Sequence, residues 1–503
     1  MRTVEHVFAI GETNVSNLLD VGTKKQLFID GLVIDEEHGV TRNLNQPSKY
    51  VGNPIMIPLY PWEGRLELYG TVWREPNGLF RMWYQGLGGM GTPALDYDGS
   101  PLAKIPGQET TWEKFQPSNL LMNVCYATSD NGIHWERPNL GIEEYQGSRD
   151  NNIVILDAGF GNVIKDTRDP DPDRLYKALF WESPDFDPSG KPNTGESVSV
   201  AFSPDGIHWT KYPGNPVLTR SSDTHMLLGW DELHGKYVAY PRPTTREGDA
   251  SRRIGRSTSQ DFENWTEIEE VLRPDSQDPF GMEFYGMPVF KYEDMYIGQL
   301  YALHARPEEV ADPSQTRNDS VIDVQLTSSR DGVIWERAGG RNAFIPNGVP
   351  GSIDSGEIWT AKEPVIVENE IWFYYCAGAM EHGITGRSGP ICLAKLRLDG
   401  FVSVDAGEDA GSLITKPFRC EGGPLEINAS ARGGVVEVAV LDESGIQYQG
   451  YSRQECALFD GDSVDHCVTW REKLSLEELK GNTIRLKFYL QNASLYSFNV
   501  GNK

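Results

Sequence analysis

Positive charge is scarce in this 503-residue chain: 46 Lys and Arg stand against 73 Asp and Glu, a formal net charge of −27. The acidic excess runs through the whole sequence, so phosphate backbones and anionic bilayer surfaces are repelled over most of it, and neither nucleic acid nor membrane is an expected partner. Long hydrophobic runs are missing as well. No stretch approaches the ~18 uncharged apolar residues of a membrane span, and MRTVEHVFAIGETNVSNLLD at the start has no continuous apolar segment of a secretion signal. A cytoplasmic location is expected for the sequence as written, and a periplasmic or secreted one if a signal peptide has been removed. Cysteine is sparse, at positions 125, 376, 392, 420, 456 and 467, with no CxxC pair. Most of these sit in apolar or strand-like runs, which reads as buried free thiols rather than a disulfide framework or a zinc site. GxSxG, HExxH, GxxxxGK[ST] and a GxGxxG between strand and helix are all absent, which removes serine-hydrolase, zinc-protease and nucleotide-binding readings together.

What is present is aromatic and turn-rich: 13 Trp, 21 Tyr, 19 Phe and 52 Gly. That composition favours β structure. One phrase recurs, as SDNGIHW at 129, SPDGIHW at 203, SQDFENW at 259 and SRDGVIW at 329, with its Trp spaced by 74, 56 and 70 residues. A short strand-like run precedes each copy, Asp-Gly gives a tight turn, and Trp opens the next strand. ICLAKLRLDGFVSV supplies a fifth, degenerate copy. Upstream of each lies a second aromatic strand and, before that, an innermost one: LELYGTVW, GFGNVIKD, THMLLGWD, EFYGMPVF and IWTAKEPVIV. Four strands in each of five units predict an all-β fold with a five-bladed β-propeller over residues 20–404, after a lead-in at 1–19. From 405 to 503 the alternation of PLEINASA, VVEVAVLD, HCVTWRE and TIRLKFYL predicts a C-terminal β-sandwich. LSLEELKGN in that region reads as one helical turn stopped by Gly481.

Ligands of a propeller bind in the funnel where the innermost strands begin. Blade one brings Glu63, Glu67 and Tyr69 there, blade three Asp223 and His225, blade four Asp278, Glu283 and Tyr285, and blade five Asp354, Glu357, Trp359 and Glu363. Paired carboxyls suit glycoside hydrolysis: one protonates the leaving oxygen while another activates water or attacks the anomeric carbon. Asp223, Glu283 and Glu357 are the expected catalytic set. Glu63, Tyr69, Trp83, His225, Arg242, Tyr285, Asp354, Trp359 and His382 are expected to bind substrate, the aromatics by stacking on sugar faces and the histidines through hydroxyls. Asp166, Arg168 and Asp169 follow the second inner strand and are expected at its far end. Acid clusters with backbone carbonyls suit Ca²⁺, but no EF-hand loop or regular ligand spacing supports one, so neither metal nor cofactor is expected.

The layout resembles the five-bladed propeller glycosidases, namely invertases and inulinases with their C-terminal sandwich, and the arabinanase and xylosidase group. Departures are visible: PWEGRLELYGTVWREPNG lacks the invertase Asn-Asp-Pro-Asn-Gly phrase, Arg168-Asp169-Pro170 follows its strand instead of opening it, and SSDTHMLL stands where Glu-Cys would. LFIDGLVIDEEHGVTRNLNQPSKYVGNPIMIP, SSRDGVIWERAGGR, SIDSGEIW and LDGFVSVDAGEDAGSLITKPF look like a group of bacterial proteins similar to the invertase N-terminal domain. That resemblance implies a carbohydrate-active propeller plus sandwich.

The leading expectation is a glycoside hydrolase acting on an oligosaccharide or polysaccharide chain end. A polysaccharide lyase is the enzyme alternative, with His225 or Tyr285 removing a proton beside a uronate carboxylate that Arg242 neutralises. A propeller that only binds carbohydrate is the non-enzyme alternative.

Overall fold

The computed structural model describes residues 18–88, 121–182, 197–219, 221–243, 251–305, 320–382 and 389–501. The protein is all-β. Helix among the described residues is confined to three-residue 3-10 turns such as Pro61–Glu63 and Glu477–Leu479, the latter followed by Gly481 at φ 82°. The chain divides into two compact units, Leu44–Val402 and a unit of Met1–Asn43 with Ser403–Lys503.

Within Leu44–Val402 the described strands form four sheets in which five successive antiparallel repeats can be traced, the last two sharing one sheet through a parallel pairing of Ile322 with Glu357. Repeat one comprises Arg65–Arg74, Phe80–Gly88, Leu121–Ser129 and Ile153–Ile155; repeat two, Gly159–Lys165, Tyr176–Glu182, Ser197–Ser203 and Thr210–Lys211. Repeat three comprises Ser221–Asp231, Lys236–Pro243, Ile254–Ser259 and Glu269–Leu272. The first strand of repeat four is split into Met282–Gly286 and Val289–Tyr292, followed by Met295–Ala305, Ser320–Ser329 and Glu336–Arg337. Repeat five has Glu357–Thr360 with Val365–Val367, then Glu370–Gly378 and Ile391–Arg397, and takes its last strand, Ser48–Lys49, from the beginning of the unit. First strands of repeats one to four pack one on the next, and both pieces of the fifth pack on Arg65–Arg74. Tyr301 Oη of repeat four donates to Thr360 O of repeat five at 2.8 Å, joining the remaining pair.

The recurring phrase ties these repeats together. In SPDGIHW, Asp205 Oδ1 accepts from the amides of Ile207 and His208 at 2.8 Å each, and Gly206, at φ 78°, donates to Ser203 Oγ at 2.9 Å. A left-handed φ admits glycine without strain, and the copies at Gly132 and Gly332 use it in the same way. In the third copy Phe262 holds φ 70° instead, its ring buried against Phe202 and Tyr237. The carbonyl exposed by the turn docks on the neighbouring repeat: Trp83 Nε1 donates to Gly206 O at 2.7 Å, Tyr240 Oη to Gly332 O at 2.8 Å, and Tyr374 Oη to Gly132 O at 2.8 Å. These ties join one to two, three to four, and five back to one. Repeats two and three meet through Arg174 and Glu263 at 2.6 Å, and four and five through Tyr292 Oη donating to Asp399 at 2.6 Å. Trp83, expected at a sugar face, is therefore a seam residue: it is wholly buried among Trp73, Tyr126 and Tyr176, with its one donor already used.

The other unit holds two antiparallel sheets. One contains Val402–Ala406, Ala493–Val500, Leu425–Ser430, Asp462–Val468 and Gln26–Leu27; the second contains Ile34–His38, Gly411–Thr415, Thr483–Gln491, Phe418–Arg419 and Val435–Asp442. Thr483–Gln491 buries every second residue, and its Phe488 meets Phe498 of the first sheet with ring centroids 5.4 Å apart. Strands within residues 20–43, a stretch expected inside the propeller over 20–404, pair with these later strands, Ile34–His38 on Gly411–Thr415 and Gln26–Leu27 on Ser497 and Phe498. Such pairing, across more than 370 positions, leaves no trace in local periodicity.

Candidate active site

Side chains alternate along a strand, so Arg65 and Glu67 leave Arg65–Arg74 on one side, at its start, with Tyr69 following in the irregular stretch before Thr71. Arg65 Nη2 lies 2.6 Å from Glu67 Oε1 and 3.5 Å from Glu357 Oε2, and one guanidinium nitrogen thus holds carboxylates of repeats one and five face to face. Burial alone would lower the Arg65 pKa, but the negative charges of Glu67 and then Glu357 raise it above the usual arginine value. Glu357 is fully buried. Its cross-strand partner is Gly378, where a Cβ would come within 3.2 Å of Glu357 Oε2, so glycine leaves room for the carboxylate. Two residues on and on the same face, Trp359 lies under the Arg65 guanidinium, 5.4 Å from its carbon.

Trp359 links two tyrosines, with ring centroids 5.8 Å from Tyr69 and 6.2 Å from Tyr285. Tyr285 is the hub of the second half of the cluster. Its ring centroid lies 4.9 Å from that of His382, its hydroxyl 3.3 Å from His382 Nε2, and the guanidinium carbons of Arg242 and Arg252 stand 4.5 and 5.3 Å from its ring. Arg242 Nη1 also donates to Tyr285 O at 3.0 Å. Arg252 Nη1 meets Glu283 Oε2 at 2.5 Å, and Glu283 is 1% exposed. His225 is equally buried, in the first strand of repeat three. One contiguous cluster thus gathers three carboxylates, three guanidinium groups and an aromatic core from repeats one, three, four and five. Second strands return to this same end, with Leu87 opposite Arg65, Leu303 opposite Glu283 and Gly378 opposite Glu357.

Of the expected residues, Glu283, Glu357, Tyr69, Tyr285, Trp359, Arg242 and His382 come together here. Asp223 lies in the strand Ser221–Asp231, but its side chain falls outside the described residues. Glu63 and Asp354 are engaged elsewhere. Glu63 is buried against Arg137 Nε at 2.7 Å, the Leu59 amide at 3.0 Å and the Tyr84 hydroxyl, fixing the corner before the first strand. Asp354 binds Lys49 Nζ at 2.6 Å, Ser352 Oγ at 2.9 Å and Tyr375 Oη at 3.2 Å, anchoring the short strand that completes repeat five. Both acids, expected at the sugar, make these contacts within the fold. Asp166 and Asp169, beyond the other end of their strand, share the buried Lys177 Nζ at 3.2 and 2.7 Å. Arg65 and Arg252 were not foreseen. Alternation with Glu67 and Tyr69 marks Arg65 in the sequence, whereas Arg252 precedes a third strand, Ile254–Ser259, and has no such signal. Among the described residues no three His, Cys, Asp or Glu side chains converge as a metal site.

No family model matches the sequence, and no curated protein matches it. Among solved structures, it is similar to a glycosyl hydrolase from Bacteroides ovatus at 13% identity, over 70% of this chain and 94% of that one, with a TM-score of 0.44. A β-1,2-mannobiose phosphorylase from Listeria innocua is similar at 14% identity, over 70% and 96%, with a TM-score of 0.43. An N-acetylgalactosamine deacetylase from F. plautii is similar at 14%, over 72% and 96%, with a TM-score of 0.43. At such distances the functional reading stands on the side chains themselves.

Proposed function

We propose that Leu44–Val402 is a five-bladed β-propeller, that the remaining unit is a β-sandwich, and that the chain is a glycoside hydrolase acting on an oligosaccharide or polysaccharide chain end. The packing of first strands from repeat one through repeat four, the packing of the fifth on the first, and the tie from Tyr374 back to Gly132 support the propeller. One observation carries the activity: two buried carboxylates, Glu283 and Glu357, begin adjacent first strands, and each is held by an arginine beside the Trp359–Tyr285 platform. Arg252 and Arg65 orient them, and burial strengthens each interaction with charge that develops on a bound sugar. In the reaction, one carboxyl of the set Asp223, Glu283 and Glu357 protonates the leaving oxygen. A second activates water or attacks the anomeric carbon, and the third tunes their protonation. No cofactor is required by this chemistry.

Asp223→Asn, Glu283→Gln and Glu357→Gln, assayed on a panel of aryl glycosides and plant or algal oligosaccharides, test the proposal. At least two of them are expected to lose about 10²-fold or more in kcat; three fully active variants end it. The contact of His382 with the Tyr285 hydroxyl beside Arg242 favours a second reading, a lyase acting on a uronate-containing glycan. Lyase products carry a new double bond that absorbs in the ultraviolet, and hydrolase products do not.

A further inference from the structure

Three buried polar atoms of adjoining side chains in the cluster have no hydrogen-bond partner among the described residues: Glu67 Oε2, Arg65 Nε and Trp359 Nε1. Glu67 is 5% exposed and Trp359 1%. Buried polar groups in native proteins are nearly always satisfied, so three open ones side by side mark a place that something else fills. The remaining oxygen of Glu67 is fixed by Arg65 Nη2 at 2.6 Å, which settles which oxygen stays open. The Arg65 guanidinium that holds Glu67 also lies over the Trp359 ring, so the three side chains adjoin. Arg65 keeps 13% of its side chain in solvent, so the three atoms lie one side chain below the surface.

The charges decide which ligand class fits. A metal cation is opposed by Arg65, and an anion is opposed by Glu67 and Glu357 together. A neutral polyol meets neither obstacle. One hydroxyl can donate to Glu67 Oε2 while accepting from Arg65 Nε–H, and its neighbour can accept from Trp359 Nε1–H. The buried rings of Trp359 and Tyr69, with centroids 5.8 Å apart, back the position with apolar surface. We infer that Arg65, Glu67 and Trp359 form a subsite that reads two adjacent hydroxyls of a neutral sugar ring, an inference that rests on the glycosidase reading above.

Calorimetric titration of the full chain with methyl glycosides of glucose, galactose, mannose, xylose and arabinose tests it, followed by the monodeoxy forms of whichever binds. Two neighbouring deoxy positions are each expected to weaken binding about tenfold or more. Trp359→Phe, which keeps the ring but removes the donor, and Glu67→Gln are expected to weaken the parent sugar comparably. Each variant should show little further loss with the deoxy sugar that lacks its own partner. Because the deoxy series deletes the contacts from the ligand, it reads the subsite in wild-type protein even where a variant fails to fold. If every deoxy form binds as its parent, only water fills the position and the subsite is overturned, while continued turnover of aryl glycosides leaves the glycosidase reading standing. If the wild type neither binds nor turns over any member, both fall.

Discussion

Tyr374→Phe is the sharpest probe of how the repeats are joined. Its hydroxyl is the donor that ties the fifth repeat to the first, at 2.8 Å from Gly132 O, and both residues are buried. Tyr240 makes the equivalent bond to Gly332 O, also at 2.8 Å, between repeats adjacent in sequence. Removing either hydroxyl leaves the aromatic packing in place, Tyr374 on Trp135 and Tyr240 on Trp335, and strands one buried carbonyl. The lost bond and the unmet acceptor together are expected to cost about 1–2 kcal/mol. Both phenylalanine variants should therefore lower the urea midpoint, followed by tryptophan fluorescence, to a similar extent and without a change in m. The two sites share no partner, so the double variant should show the sum of the losses within about 0.5 kcal/mol. A Tyr374→Phe protein with a wild-type midpoint, beside a Tyr240→Phe protein that has lost stability, would refute a tie between the fifth repeat and the first.

The turn acids predict an acid transition. Burial alone would raise Asp205 and Asp261, but the amides they accept from, first those of His208 and Asn264 and then those of Ile207 and Glu263, hold both carboxyls down at about 2. A depressed folded-state pKa contributes stability that is complete above the unfolded value near 3.9 and is lost as pH falls toward 2. Asp205→Asn should flatten the pH dependence of the urea midpoint across that window, since Asn131 already serves the same turn in the first copy; an equally steep loss in the variant counts against this account. Thiol labelling offers a separate check. Five cysteines are buried and Cys467 is exposed, so a water-soluble aromatic disulfide should modify one thiol of the native protein rapidly and all six only after unfolding.

The periodic part of the fold is legible in the sequence because each repeat carries its own turn chemistry and its own strand alternation. All five innermost strands read from the pattern correspond to first strands of the meanders, from Arg65–Arg74 to Glu357–Thr360. Pairings made late in the chain by early residues escape local reading, as with Ser48–Lys49 on Ala394 and Lys395. Strand position pointed to Glu283, Glu357 and Trp359, which lie in one cluster, since standing at the start of a first strand and alternating along it are sequence properties. What it did not reveal was which acids are already occupied. Glu63 stands only four residues before Glu67, yet Arg137, in the loop after Leu121–Ser129, and Tyr84, in Phe80–Gly88, claim it. Arg252 escaped for the same reason, because its salt bridge to Glu283 spans 31 positions.

The pairing of early with late strands has a consequence for the order of synthesis. Gln26–Leu27, Ile34–His38 and Ser48–Lys49 find their partners at 497–498, 412–415 and 394–395. At ribosomal rates of about 5–20 residues per second, these strands emerge on the order of tens of seconds before the segments they pair with. A free strand edge exposed for that long invites association with other chains unless it is guarded. Ile34–His38 reads IDEEH, three consecutive acids and a histidine with only its first residue half-buried in the finished protein. Like charges on such an edge oppose edge-to-edge association, so the acidity of this strand has a consequence before its partner is made as well as after.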